Sequence, residues 1–153
     1  MYQYPSQNAC INISRYLVIP STMPTPSSSA PVPDPLETGI DQFNRSEFYA
    51  CHDTLEAIWM EAEAAEKPFY QGILQVAVGF YHLGNLNWRG GAILLGEGIN
   101  RLRRFEPQYK GVVVDTLVDQ ATDWLTLIQT AGPEGLAAVM TEMPQAFPQI
   151  ERC

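Results

Sequence analysis

The stretch Gln71–Asn85 (QGILQVAVGFYHLGN) contains no Asp, Glu, Lys or Arg, and it constrains the fold more than any other part of the chain. Its apolar residues recur at the three- to four-residue spacing of an α-helix. With its flanks it predicts a helix over Pro68–Asn87, about 30 Å long at ~1.5 Å per residue. Because a helix without charge needs cover on most sides, this one is predicted to be the central helix of an all-α fold.

A stripe of polar side chains runs along this predicted helix. Its members recur at i, i+4, i+11 and i+14 and therefore share one face: Gln71, Gln75, His82 and Asn85. An upstream helical segment, Phe48–Trp59, has the same character, with His52 and Glu56 one turn apart. A buried polar group without a partner costs about 1–3 kcal/mol. The two stripes therefore predict a hydrogen-bond network that fixes the register of two buried helices.

The predicted polar cluster combines both stripes with two neighbouring residues: His52, Asp53, Glu56, Trp59, Gln71, Gln75, His82 and Asn85. Amides bind metals poorly but donate and accept hydrogen bonds, so the cluster favours a structural network or a partner or ligand site. The alternative is a divalent metal bound by His52, Glu56 and His82, since facing helices hold metals with His and carboxylate ligands. That alternative predicts a metal-dependent, hydrolase-like enzyme. No other cofactor is indicated, because the motifs for phosphate loops, zinc pairs and nucleophile elbows are absent.

Proline marks the boundary of the predicted folded part. Residues 1–35 hold seven of the twelve prolines and are predicted to be a disordered Pro/Ser-rich arm, with Met23 as an alternative start. Residues 36–153 are predicted to form a single helical domain, a compact bundle of five or six helices around a buried central hairpin. The predicted helices are Leu36–Asn44, Ser46–Glu66, Pro68–Asn87, Ala92–Phe105, Val112–Gln129 and Pro133–Met140.

Finer signals accompany these helices. Ser46 is predicted to be the N-cap of the second helix, and Arg89–Gly91 a turn. Glycine costs a helix roughly 1 kcal/mol against alanine, so Gly72, Gly79 and Gly84 predict close contact between helices. No segment alternates like a strand, and the tail Met143–Cys153 (MPQAFPQIERC) is predicted to be irregular.

Charge and cysteine content limit which classes of binding partner and which cellular location the sequence predicts. The net charge of −8 and the pI of about 4.6 argue against nucleic acid, and no apolar run approaches the ~20 residues that span a bilayer. Cys10, Cys51 and Cys153 lie far apart, which favours a reducing, cytoplasmic location. The classes of partner that remain are a protein and a small ligand, so the sequence favours a non-enzymatic binding protein. The oligomeric state is not predicted.

Several motifs follow one another in a fixed order: Phe43, Phe48, His52–Trp59 (HDTLEAIW), Gln71–Gln75 (QGILQ), His82, Gly84–Asn85, Gly91–Ala92, Leu95 and Leu102. This order resembles the domain-of-unknown-function family numbered 309 over about Asp41–Phe105. Members usually have Glu directly after the His, where this chain has Asp53, a side chain of shorter reach. The resemblance implies an all-helical fold and lends no established activity, cofactor or catalytic residue.

Overall fold

The structure is a computed structural model that describes residues 30–142 and 147–153. The predicted all-α class is confirmed. Five α-helices follow one another in this part of the chain: α1 (Pro35–Asn44), α2 (Phe48–Glu61), α3 (Lys67–Gly84), α4 (Trp88–Leu102) and α5 (Val114–Glu142). Most of the arm predicted over residues 1–35 lies outside the described residues. No described helix is long and apolar enough to cross a lipid bilayer.

The first two helices differ from prediction at their joint. Asp34 caps α1 as expected of a short acceptor, because its carboxylate accepts from Leu36 N at 3.1 Å. Ser46 is not the N-cap of α2: it has a φ of 62° in the connecting turn, and Glu47 occupies the cap position. The predicted end of α2 at Glu66 is also wrong, since Ala62 has an extended backbone and ends the helix there.

The start of α4 corrects the prediction of a turn at Arg89–Gly91. The chain turns earlier, at Leu86, which has a φ of 58°, and Asn87 caps α4 by accepting from Gly90 N at 3.0 Å. The glycines that suggested a turn lie in the first helical turn of α4 instead. Gly91 is required there by packing, because a Cβ at this position would overlap the Leu83 side chain of α3.

Glycine also brings the remaining length of α3 and α4 together. A Cβ on Gly98 would lie 2.8 Å from the Gly72 carbonyl oxygen, and one on Gly79 would lie 2.9 Å from Leu95 Cγ. The predicted close approach is therefore confirmed for Gly72 and Gly79. Gly84 has no atom within 4 Å of such a Cβ and plays no part in this packing. Over its whole length α3 has ten buried residues, as its lack of charge predicted.

A small hairpin and the C-terminal segment complete the described fold. Two strands that the sequence did not predict, β1 (Gln108–Tyr109) and β2 (Val112–Val113), pair antiparallel around a turn in which Lys110 and Gly111 have positive φ. They are too short to show a strand's alternation. Gly132, with a φ of 71°, kinks α5 close to the predicted boundary between two helices. Residues 147–150 are irregular as predicted, but Ile150 is buried in the core.

Candidate functional site

Gln75 is the buried polar residue of the predicted cluster, with 8% of its surface exposed. Its side chain lies between two charged groups of α4. Its Nε2 donates to Glu97 Oε2 at 2.9 Å, and its Oε1 accepts from Arg101 Nε at 2.9 Å. Gln75 therefore links α3 to α4. The network that we predicted between the polar stripes of α2 and α3 is not made by this residue.

Two contacts of aromatic rings mark the two ends of the line of contact between α2 and α3, which we call the seam. Near one end the rings of Tyr49 and Tyr81 lie 5.4 Å apart, and at the other end Lys67 Nζ lies 5.1 Å from the centre of the Trp59 ring. His52, Glu56 and Gln71 are each one helical turn from one of these bracketing residues, so they lie along the same seam: His52 beside Tyr49, Glu56 beside Trp59 and Gln71 beside Lys67.

The seam is not the hydrogen-bonded interface that the sequence predicted. Among the described residues no hydrogen bond joins the α2 stripe to the α3 stripe. Trp59 Nε1 is buried without a hydrogen-bond partner among these residues. Asn85 donates to Tyr81 O of its own helix at 3.2 Å. Aromatic contact and apolar burial therefore hold α2 on α3, and the polar side chains lie at the edge of that contact.

One group within the predicted cluster has the geometry of a candidate cation site. Single ligand atoms of His52, Asp53 and Glu56 all lie within 4.8 Å of one another, with His52 half-buried and the two carboxylates exposed. His52 Nδ1 and Asp53 Oδ1 are 3.2 Å apart. His82, the third ligand in the predicted metal set, is not in this group. Its Nδ1 is instead 3.2 Å from Asn87 Nδ2, in the turn before α4.

A groove lies on the other side of α2, and we call it the α2 groove. It has a volume of about 500 Å³. Gly39 of α1 packs on Leu55 near the middle of α2, whereas α1 begins at Pro35 and leaves the end of α2 uncovered. The lining residues share a position on this uncovered face or on the elements beside it: Pro35, Thr54, Ala57, Ile58, Glu61, Ala62, Glu66 and Tyr70.

The rim of the α2 groove is charged. Lys110 Nζ lies 2.7 Å from Glu66 Oε1, and this hydrogen bond raises the pKa of Lys110 above its usual value. Burial raises the pKa of the Tyr70 hydroxyl, although the neighbouring Lys110 opposes the shift. Glu66 is therefore neutralised by Lys110. Glu61 is exposed and makes no ion pair with any described residue, so it gives the rim a negative charge.

The groove was missed at the sequence level, although two signals for it are present. Thr54, Ala57, Ile58, Glu61 and Ala62 recur at i, i+3, i+4, i+7 and i+8, which defines a second, small-residue face on α2. In addition, the first predicted helix is shorter than the second, so it cannot cover the whole of this face. The polar stripes lie on the opposite side of α2, and the functional site was therefore predicted there.

The described residues thus form an all-α bundle of consecutive packed helices, with a groove on one side of α2 and a polar seam on the other. A family model described as Domain of unknown function (DUF309) matches residues 36–94, which confirms the resemblance predicted from the sequence motifs. The match spans α1, α2 and α3 and ends within α4, before Glu97 and Arg101. No curated protein and no solved structure is significantly similar to the chain.

Proposed function

We propose that this protein is a non-enzymatic binding module whose α2 groove takes a short peptide segment with apolar side chains and a basic residue. The observation that carries the proposal is the groove itself. Its volume of about 500 Å³ falls within the ~300–1,000 Å³ typical of ligand sites. Its walls are small and apolar, with Ala57, Ile58 and Ala62 contributed by one helix face.

Charge supports a basic residue in the ligand. Glu61 borders the groove and is exposed, whereas Glu66 is already paired with Lys110 at 2.7 Å. The chain also carries a net charge of −8. A field of this sign attracts cationic partners and disfavours acidic ones. Selectivity for a positive side chain is therefore expected at Glu61, and affinity is expected from burial of the apolar side chains.

Three peptides that differ only in charge test this proposal. Leucine would alternate with lysine, glutamine or glutamate, and binding would be followed by amide NMR shifts of the full chain. We expect the lysine peptide to bind most tightly and to shift the amides of Thr54, Ala57 and Glu61. Ala57→Trp, which fills the groove, should abolish these shifts, whereas Ala138→Trp, on an exposed position of α5, should not. Equal binding of the glutamate peptide would contradict the proposal.

A metal-dependent hydrolase is the second candidate function, supported by the clustered ligand atoms of His52, Asp53 and Glu56. A His and two carboxylates leave coordination positions for water, as a catalytic zinc site requires. Titration with Zn²⁺ would move the ring signals of His52 and leave those of His82 in place, and Glu56→Gln would weaken the effect. Unchanged His52 signals at millimolar Zn²⁺ would exclude this candidate.

We place the binding activity in a reducing compartment such as the cytoplasm. The cysteines support this location, because Cys51 is a buried free thiol and the other two lie far from it in sequence. The net negative charge supports a protein or peptide partner over nucleic acid.

A further inference from the structure

Three neighbouring cavities surround the point where the chain enters α1. The α2 groove, of about 500 Å³, shares Pro35, Ile58 and Tyr70 with a second cavity of about 280 Å³. The second cavity shares Asp34, Leu36 and Lys110 with a third of about 150 Å³. The chain that precedes Pro35 therefore starts at the edge of a connected concave surface. Residues 30–34 are exposed and leave this surface uncovered.

The preceding chain contains a segment with the apolar side chains and the basic residue that we propose the α2 groove binds. Ile11–Ile19 (INISRYLVI) is the most apolar stretch of residues 1–35, and its Arg15 is the only basic residue there. The rest of this region is rich in Pro and Ser and has little apolar area to bury. One segment thus combines aliphatic side chains with a single cation, and the groove combines a wall of small apolar residues with Glu61.

We propose that Ile11–Ile19 binds the α2 groove of its own chain, with Arg15 beside Glu61, and competes there with partner peptides. The inference rests on the proposed function, because it assigns an internal competitor to the same groove. Fifteen residues, Pro20–Asp34, separate the segment from α1, and a chain of that length can extend to about 50 Å at ~3.3 Å per residue. It therefore reaches the groove and holds the segment at an effective concentration of order millimolar. Even a weak contact is then substantially occupied.

Cys10 offers a probe beside the segment without any change to it. In a full-length Cys153→Ser chain, a spin label would react at Cys10, because Cys51 is fully buried and its thiol pKa is raised to about 12. We expect the label to broaden the amide signals of Ala57, Ile58 and Glu61. The amides of Ala137 and Ala138, on exposed positions of α5, should keep their intensity.

Variants test where and how the segment binds. Ala57→Trp should restore the groove signals, and the control Ala138→Trp should leave them broadened. Arg15→Glu should also restore them, and adding Glu61→Arg should bring the broadening back, because the charge pair is then reversed. A mixture of spin-labelled chains and isotope-enriched chains tests whether the segment binds the groove of its own chain or that of a second copy. Broadening that appears only between molecules would overturn the proposal in favour of exchange between two copies.

The outcome also separates this inference from the proposed function. If both hold, Arg15→Glu raises the affinity of the leucine–lysine peptide by roughly tenfold, because an internal competitor has been removed. Broadened groove signals together with no peptide binding in the Arg15→Glu chain would leave the internal contact standing and refute the proposed function. Peptide binding with no broadening, and with equal affinity in both chains, would refute the internal contact alone.

Discussion

At the scale of single residues, the position of Gln75 shows how a neutral amide serves two opposite charges at once. Its Nε2 faces the Glu97 carboxylate and its Oε1 faces the Arg101 guanidinium, both at 2.9 Å. Hydrogen bonds to charged groups contribute about 1.5–3 kcal/mol. The amide therefore connects α3 to a charged pair spaced one turn apart on α4, without any charge in the buried layer of α3.

We predict that Gln75→Ala destabilises the protein by about 1–3 kcal/mol, since both hydrogen bonds and the packing of the side chain are lost. For a chain of this size that corresponds to a fall of several degrees in melting temperature. Thermal unfolding followed by circular dichroism measures it. Gln129→Ala, an exposed glutamine of α5, is the matched control and should melt within about a degree of wild type. Identical melting of both variants would contradict a structural role for Gln75.

The sequence predicted that Gln75 is buried and polar, but it placed the partners of Gln75 on α2, whereas they lie on α4. Spacing along a helix tells which residues share a face, whereas the partner depends on how the neighbouring helices cross that face. Glu97 and Arg101 carry these opposite charges, and the sequence did not predict that they contact Gln75, because charged residues at i, i+4 are common on exposed helices. The cluster residues could thus be selected from the sequence, and their partners could not.

At the scale of helices, the contact between α3 and α4 depends on glycine. Gly98 is the clearest test, because its nearest neighbours include backbone atoms: an added Cβ would lie 2.8 Å from Gly72 O and 3.0 Å from Val76 N. Backbone cannot rotate away as a flexible side chain can, so a larger residue must push the helices apart. Gly96 lies two positions earlier in the same helix, where the nearest atom is 3.9 Å from an added Cβ.

Gly98→Ala and Gly96→Ala should therefore change stability in opposite directions. We expect Gly98→Ala to destabilise by about 1–3 kcal/mol through overpacking. Gly96→Ala should stabilise by up to about 1 kcal/mol, since alanine is the better helix former and has room. Urea unfolding of the two variants beside wild type gives both values. If the two substitutions had the same sign, close packing would not be the reason for Gly98.

Helix positions were predicted better than helix ends. The uncharged pattern of α3 and the proline near its start placed that helix well, because both signals act locally. The start of α4 was predicted four residues late, because consecutive glycines are typical of turns, whereas Gly91 is needed beside Leu83. Such a requirement comes from the neighbouring helix. It is visible only once α3 and α4 are placed together.

At the scale of the whole molecule, the C-terminal segment ties the first helix to the hairpin. Ile150 N donates to Asn44 Oδ1 at 2.7 Å and Ile150 O accepts from Asn44 Nδ2 at 3.0 Å. Arg152 pairs with Glu37 of α1 and forms a β-bridge with Val112. The tail predicted to be irregular is thus part of the core. These long-range contacts fix α1 beside the hairpin, and therefore the shape of the cavities between them.

Three titrating groups of the fold should lower the free energy of unfolding at high pH. Burial raises the pKa of Cys51 from 9.0 to about 12, partly opposed by a hydrogen bond from the Phe43 backbone. The pKa of Tyr70 is also raised by burial, and that of Lys110 by its hydrogen bond to Glu66. Each raised pKa means that the folded chain retains a proton that the unfolded chain loses. Stability from these groups is therefore complete below about pH 9 and falls as the pH rises.

For Cys51 the loss should begin near pH 9 and continue toward pH 12, at up to about 1.4 kcal/mol per pH unit. Urea unfolding between pH 8 and pH 11 would measure the slope in wild type and in Cys51→Ala. The variant should start from a lower free energy of unfolding because it leaves a small cavity, yet lose less of it with rising pH. Tyr70 and Lys110 titrate in both chains, so the difference in slope isolates the thiol. Equal slopes would show that the Cys51 thiol does not retain its proton when the chain is folded.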